Sequence, residues 1–150
     1  MTGLFYEEFN EGDEYVSPGR TITEADIVMF AGLSGDYNPL HTDAEFARET
    51  IFGGRIAHGL LVLSISTGLI ARTGILAGTA MAFLGINEWK FTAPVLIGDT
   101  VHVKQTVESK RETKKADRGV VTFRSQVINH KGEAVQEGLR TIMVRRKPAE

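Results

Sequence analysis

The spacing of apolar and polar residues changes its period partway along the 150-residue chain, and that change predicts an architecture. Residues 56–71 contain no Asp, Glu, Lys or Arg, and apolar residues fall on nearly every side, as in a helix buried all round. From about Thr79 the period becomes two. Val101, Val103 and Val107 alternate with His102, Lys104, Thr106 and Glu108, and residues 120–124 continue in β-branched and aromatic types. This pattern predicts long antiparallel strands. His130, Lys131, Gly132 and Glu133 read as a turn between two of them, and residues 110–119 as a charged, solvated connection. Ahead of the central helix, one strand is expected near residues 14–22. A short helix should follow, capped by Thr23 with Asp26 three positions on and ending near Gly32, and another should cover residues 43–49. One apolar helix followed by four strands, with one strand before it, predicts an α+β fold in which an antiparallel sheet wraps round a long central helix.

Composition narrows the function without choosing it. With 42% hydrophobic and 24% charged residues, and no internal repeat or low-complexity linker, the chain reads as a single domain over residues 1–150. A net charge of −2, with no interleaving of aromatic and basic residues, argues against a nucleic-acid partner. The absence of cysteine excludes disulfides and thiolate chemistry. The four histidines, His41, His58, His102 and His130, are too far apart in sequence for a familiar metal motif, so neither metal nor cofactor is expected. The acidic start lacks the apolar run of a secretory signal, and residues 56–71 are too few to span a bilayer. A cytoplasmic protein with no membrane partner is the expectation.

Chemistry concentrates in one string: Leu33, Ser34, Gly35, Asp36, Tyr37, Asn38, Pro39, Leu40, His41. Asn38 precedes proline and is pushed away from helical backbone, which sets Asp36 and His41 around a rigid turn expected to be non-helical. A carboxylate and an imidazole so placed can bracket one water. By composition alone the same residues are ordinary turn formers.

The whole string, with Phe30 before it and Ala47 after, resembles the signature of the MaoC-like dehydratases, the R-specific enoyl-CoA hydratases also called hydratase 2. The similarity extends from Thr21 onward through Ile56, Ala57, His58, Gly59, Leu60, Leu61 and through Phe91, Thr92, Ala93, Pro94, Val95, Leu96, Ile97, Gly98, Asp99, Thr100, Val101. It implies a hotdog fold, a homodimer, and reversible syn addition of water to a trans-2-enoyl-CoA thioester. It further implies Asp36 and His41 as the catalytic pair and the Gly59 backbone amide as oxyanion donor. A helix's first amides have no internal partner and carry the positive end of its dipole, which suits that role; Gly59 could equally serve close packing. Supporting roles fall to Asn38, to His58, and to Thr67, whose hydroxyl should lie near the aspartate. Arg55, Lys90, Lys114 and Lys115 are the cations available to coenzyme A phosphates, each otherwise an ordinary solvated charge. Two other readings stay open: a hotdog thioesterase, although residues 56–71 carry no acid, and a non-catalytic acyl-thioester-binding module.

Overall fold

A computed structural model describes residues 2–149. After a 3-10 turn at Tyr6–Glu8 come strands β1 (Glu14–Val16) and β2 (Arg20–Thr21). Helices α1 (Glu24–Ser34), α2 (Pro39–Thr42), α3 (Ala44–Arg48) and α4 (Gly59–Ala71) follow. Four long strands, β3 (Ala80–Phe91), β4 (Thr100–Glu112), β5 (Arg118–Asn129) and β6 (Ala134–Arg145), complete the chain. The sheet is antiparallel, in the order β1-β4-β5-β6-β3, with β2 also on β4.

The long helix packs against one face of this sheet, as its all-round apolarity predicts. Leu61, Val62, Ile65, Leu69 and Ile70 of α4 join Ile22, Ile27, Val101, Val103, Val127 and Val135 in one core. A second cluster, Tyr6, Phe9, Val107, Phe123, Ile142 and Val144, lies under the 3-10 turn.

Boundaries differ from the sequence reading for local reasons. The single early strand is two, because Pro18 has no amide to give the ladder; Ser17 fills the break, its hydroxyl accepting from the Val103 amide at 2.8 Å. Helix α1 runs past Gly32 and stops at Gly35, whose φ of 76° ends the helix in the left-handed conformation. Thr23 and Asp26 form the expected capping box. The central helix begins at Gly59, not Ile56, because Ile56 is bridged to Leu96 and the Ala57 amide is taken by the Val95 carbonyl at 2.8 Å. The charged connection expected over residues 110–119 is shorter, since β4 and β5 stay paired out to Glu112 and Gly119.

Strand β3 lies at the edge of the sheet, bonded only to β6. Its Met81, Phe83, Leu84 and Ile86 are 39%, 52%, 45% and 38% exposed, a run of apolar surface on a free edge. Among the described residues, no helix is long and apolar enough to cross a membrane.

Candidate active site

The segment from Gly35 to Thr42 is held by side chains bonding to nearby backbone. The Ser34 hydroxyl accepts from the Asp36 amide (3.1 Å), Asp36 Oδ1 from the Asn38 amide (3.2 Å), and Asn38 Oδ1 from the Leu40 amide (3.1 Å). Such local bonds are what Ser, Asp and Asn offer a chain leaving a helix. The turn is not wholly non-helical, as the sequence suggested. Pro39 starts the one-turn helix α2, with Asn38 as its cap, because the first helical position needs no amide donor. The Asn38 side chain is spent on capping α2.

This arrangement leaves Asp36 exposed and turns His41 inward to 9% exposure. His41 Nδ1 lies 2.7 Å from the Ile56 carbonyl. A carbonyl can only accept, so Nδ1 carries the proton in the neutral ring and Nε2 presents a lone pair. His58, 3% exposed, donates by the same logic from Nε2 to the Asp36 carbonyl at 2.9 Å. The two imidazoles stack, with centroids 3.8 Å apart and planes at 26°, and Phe30 meets the other side of His58 edge-on at 4.9 Å. His58 Nδ1 is buried with no partner. One ligand-type atom from each of Asp36, His41 and His58 falls within 4.8 Å of the others. Sequence spacing did not reveal that two of the distant histidines meet in space. A carboxylate and a ring nitrogen this close can share one water; the same three groups are chemically able to ligate a cation.

Gly59 is the first residue of α4, so its amide has no partner within the helix. It lines a cavity of about 690 Å³ with Phe52, Ile56, Leu60, Phe91 and Val95. A Cβ at Gly59 would lie 2.7 Å from Phe91 Cε1. The missing side chain therefore makes room for the Phe91 ring as well as baring the amide. Gln136, absent from the sequence reading, is 2% exposed and donates to the Gly59 carbonyl at 2.9 Å while accepting from the Trp89 indole at 3.1 Å. Its inward register beside Gly138, Arg140, Ile142 and Val144 on β6 shows only in the structure.

Thr67 is not where it was expected. Its hydroxyl accepts from Arg140 at 3.0 Å and donates to the Leu63 carbonyl at 3.3 Å, with no bond to Asp36 among the described residues. The reason is Arg140, 1% exposed, whose buried guanidinium claims both Thr67 and Ser66. Of the cations available to phosphates, Arg55 is paired with Glu24 at 2.5 Å, while Lys90, Lys114 and Lys115 are exposed.

The pattern of the MaoC like domain matches residues 8–129. The chain is 39% identical over 140 residues to an (R)-specific enoyl-CoA hydratase of Rhodospirillum rubrum, covering 93% of this chain and 91% of that one. It is 42% identical over 114 residues to Protein MaoC of Klebsiella aerogenes, covering 76% of this chain and 33% of that longer protein. Among solved structures, one described as a monoamine oxidase regulatory protein from Archaeoglobus fulgius superposes with a TM-score of 0.91 at 39% identity, covering 99% of this chain and 98% of that one. A Mycobacterium tuberculosis protein with a double hotdog fold superposes with a TM-score of 0.85 at 19% identity, over 99% of this chain and 46% of its own, and identifies the fold as a hotdog.

Proposed function

Since the chain belongs to the MaoC-like dehydratase family, we propose that it is an R-specific enoyl-CoA hydratase, adding water reversibly to trans-2-enoyl-CoA. Its relatives' names support hydro-lyase activity. The observation that carries the assignment to this site is the Ile56 carbonyl bond, which in the neutral ring leaves Nε2 as the lone-pair nitrogen of an imidazole that has a ring nitrogen within 4.8 Å of an Asp36 carboxylate oxygen. In the proposed reaction one water sits between the two groups. His41 Nε2 accepts a proton, the electrons of that O–H bond staying on the oxygen as it bonds to carbon 3, while Asp36 orients the water. The π electrons of the C2–C3 bond move toward the thioester, whose oxygen takes up negative charge against the Gly59 amide. The proton held by the pair then goes to carbon 2 on the same face, the enolate electrons form the new C–H bond, and the catalytic groups return to their starting state. Aid from such an acid-base pair is worth about 10²- to 10⁴-fold, and one preorganised oxyanion donor about 10²- to 10³-fold. His58 and Asn38 position the loop and do not react.

We also take the chain as one domain that forms a homodimer through β3. The unpaired edge and its exposed Met81, Phe83, Leu84 and Ile86 support this, because a free apolar edge otherwise invites uncontrolled pairing. No metal or nucleic acid enters this reading, and we place the enzyme in the cytoplasm, in keeping with a water-borne anionic substrate. A thioesterase is disfavoured because α4 carries no acid to direct water at the carbonyl carbon.

The test is loss of enoyl absorbance when purified protein meets crotonyl-CoA, with chiral analysis of the product and a free-thiol assay. The R-3-hydroxyacyl product without thiol release is expected. Thiol release would replace the proposal with a thioesterase, and silence across enoyl thioesters would leave a binding module.

A further inference from the structure

Among the described residues Arg140 is the largest fully buried side chain, and no Asp or Glu pairs with it. One terminal nitrogen donates to Thr67 Oγ1 at 3.0 Å and the other to Ser66 Oγ, and the guanidinium lies 4.9 Å from the centroid of the Trp89 ring. Its Nε is buried and unpartnered. A guanidinium has five N–H donors, so two hydroxyls and an indole face leave most of its bonding capacity and all of its charge uncompensated. Burial pushes its pKa down to about 10, and the group is still a cation at neutral pH. A buried unpaired charge is expensive, and an apolar residue of similar volume would be the more stabilising choice.

The counter-charge has a place to come from. Arg140 lines a cavity of about 520 Å³ whose other walls are largely apolar, including Ile70, Leu76 and Ile142, with Thr67 beside it and its open side at the β3 edge assigned above to the dimer contact. An apolar slot with one convergent polar group is the usual form of a ligand pocket. This cavity shares no lining residue with the one at Gly59, and the two lie toward opposite ends of the same helix and strand. Gly59 and Gln136 stand at one end of the α4 and β6 pair, and Thr67 and Arg140 at the other. From Gly59 to Thr67 the helix rises about 12 Å, and from Gln136 to Arg140 the strand rises about 13 Å. An acyl chain whose thioester is at Gly59 would bring its far end to Arg140 only after several carbons.

We propose that Arg140 is a specificity determinant that receives a carboxylate at the distal end of the acyl chain, so that the preferred substrates are medium-chain enoyl thioesters ending in an acid group. This rests on the hydratase reading of the site. Bidentate pairing with a carboxylate suits the planar fork of an arginine, and lysine would reproduce the charge but not the geometry.

The experiment compares two medium-chain trans-2-enoyl-CoA substrates of equal length, one ending in carboxylate and one in methyl, with crotonyl-CoA as the reference. Wild-type protein should favour the acid in kcat/KM by about tenfold or more, and Arg140→Leu should lower the acid-to-methyl ratio by roughly a hundredfold, since a desolvated charge left unpaired is costly. Arg140→Lys should fall between them. An equal loss on both substrates would make Arg140 a structural residue and overturn the proposal, as would dissociation of the oligomer with the ratio unchanged. Turnover of crotonyl-CoA without preference for the acid would sink this inference alone. Failure to turn over any thioester would remove the hydratase reading and this inference with it. If the arginine variants do not fold, the wild-type preference decides the matter.

Discussion

Replacing His58 with alanine removes three contacts at once: the 2.9 Å bond to the Asp36 carbonyl, the stack on His41 and the edge contact with Phe30. The hydrogen bond is worth about 1 kcal/mol net and each ring contact about 1 kcal/mol, giving roughly 3 kcal/mol lost. Part of that falls on global stability and part on the loop that aims Asp36. A displacement of about an ångström in a reacting group commonly costs about 10²-fold in rate, so His58→Ala should lower kcat toward that extent while KM changes little. Urea unfolding, monitored beside initial rates on an enoyl-CoA, separates the two effects. His58→Gln retains an N–H donor for the Asp36 carbonyl and should recover part of the rate. Wild-type turnover in His58→Ala would refute the positioning role. Complete loss in both variants with unfolding unchanged would also refute it, by making the ring a reacting group.

Asp36→Asn and His41→Ala should each reduce hydration by about 10²- to 10⁴-fold while circular dichroism and oligomeric state stay as in wild type; near-normal turnover in either would dismiss the dyad. Gly59→Ala should slow hydration because its Cβ meets the Phe91 ring at 2.7 Å, and a Gly59→Ala, Phe91→Ala double variant should recover part of the rate if that contact is the cause. The carboxyl of Asp26 is pushed up by burial, but bonds from the Thr23 amide and hydroxyl and the Arg20 guanidinium outweigh this and hold it below the ordinary value. A carboxylate with a lowered folded pKa contributes stability that is fully present above about pH 5 and lost as pH falls through the folded value. Asp26→Asn should therefore cost about 1 kcal/mol at neutral pH and flatten the acid limb of a stability curve; an unchanged acid limb would contradict the assignment.

Much of the fold is legible in the amino-acid pattern alone. The charge-free stretch marks the central helix, and period-two alternation marks β4, since Val101, Val103 and Val107 are indeed buried while Lys104 and Glu108 are not. Asp36 and His41 stand out because their separation by Asn38 and Pro39 forces a turn. What stays hidden is mostly long-range. Nothing in sequence joins His41 to His58, whose stacking depends on α2 docking against the residue that precedes α4. Strand β3 obeys no alternation the eye can use, because it is an edge with most of both faces exposed. Arg140 in a strand of alternating residues reads as a solvated charge, and only its inward register shows otherwise. The place of Thr67 is equally hidden, because a helical spacing fixes a face but not what a buried cation on another element will claim.

The proton on His41 is located by an oxygen that belongs to the main chain. Every residue type supplies such an oxygen, so Ile56 could be exchanged for another side chain with the tautomer intact. Removing one residue between α3 and Ile56 would instead draw the carbonyl away from the ring, even if every side chain there were unaltered. For the His41 proton the length of that connecting segment matters more than its side chains, so a screen of single deletions would probe the tautomer more sharply than a screen of substitutions.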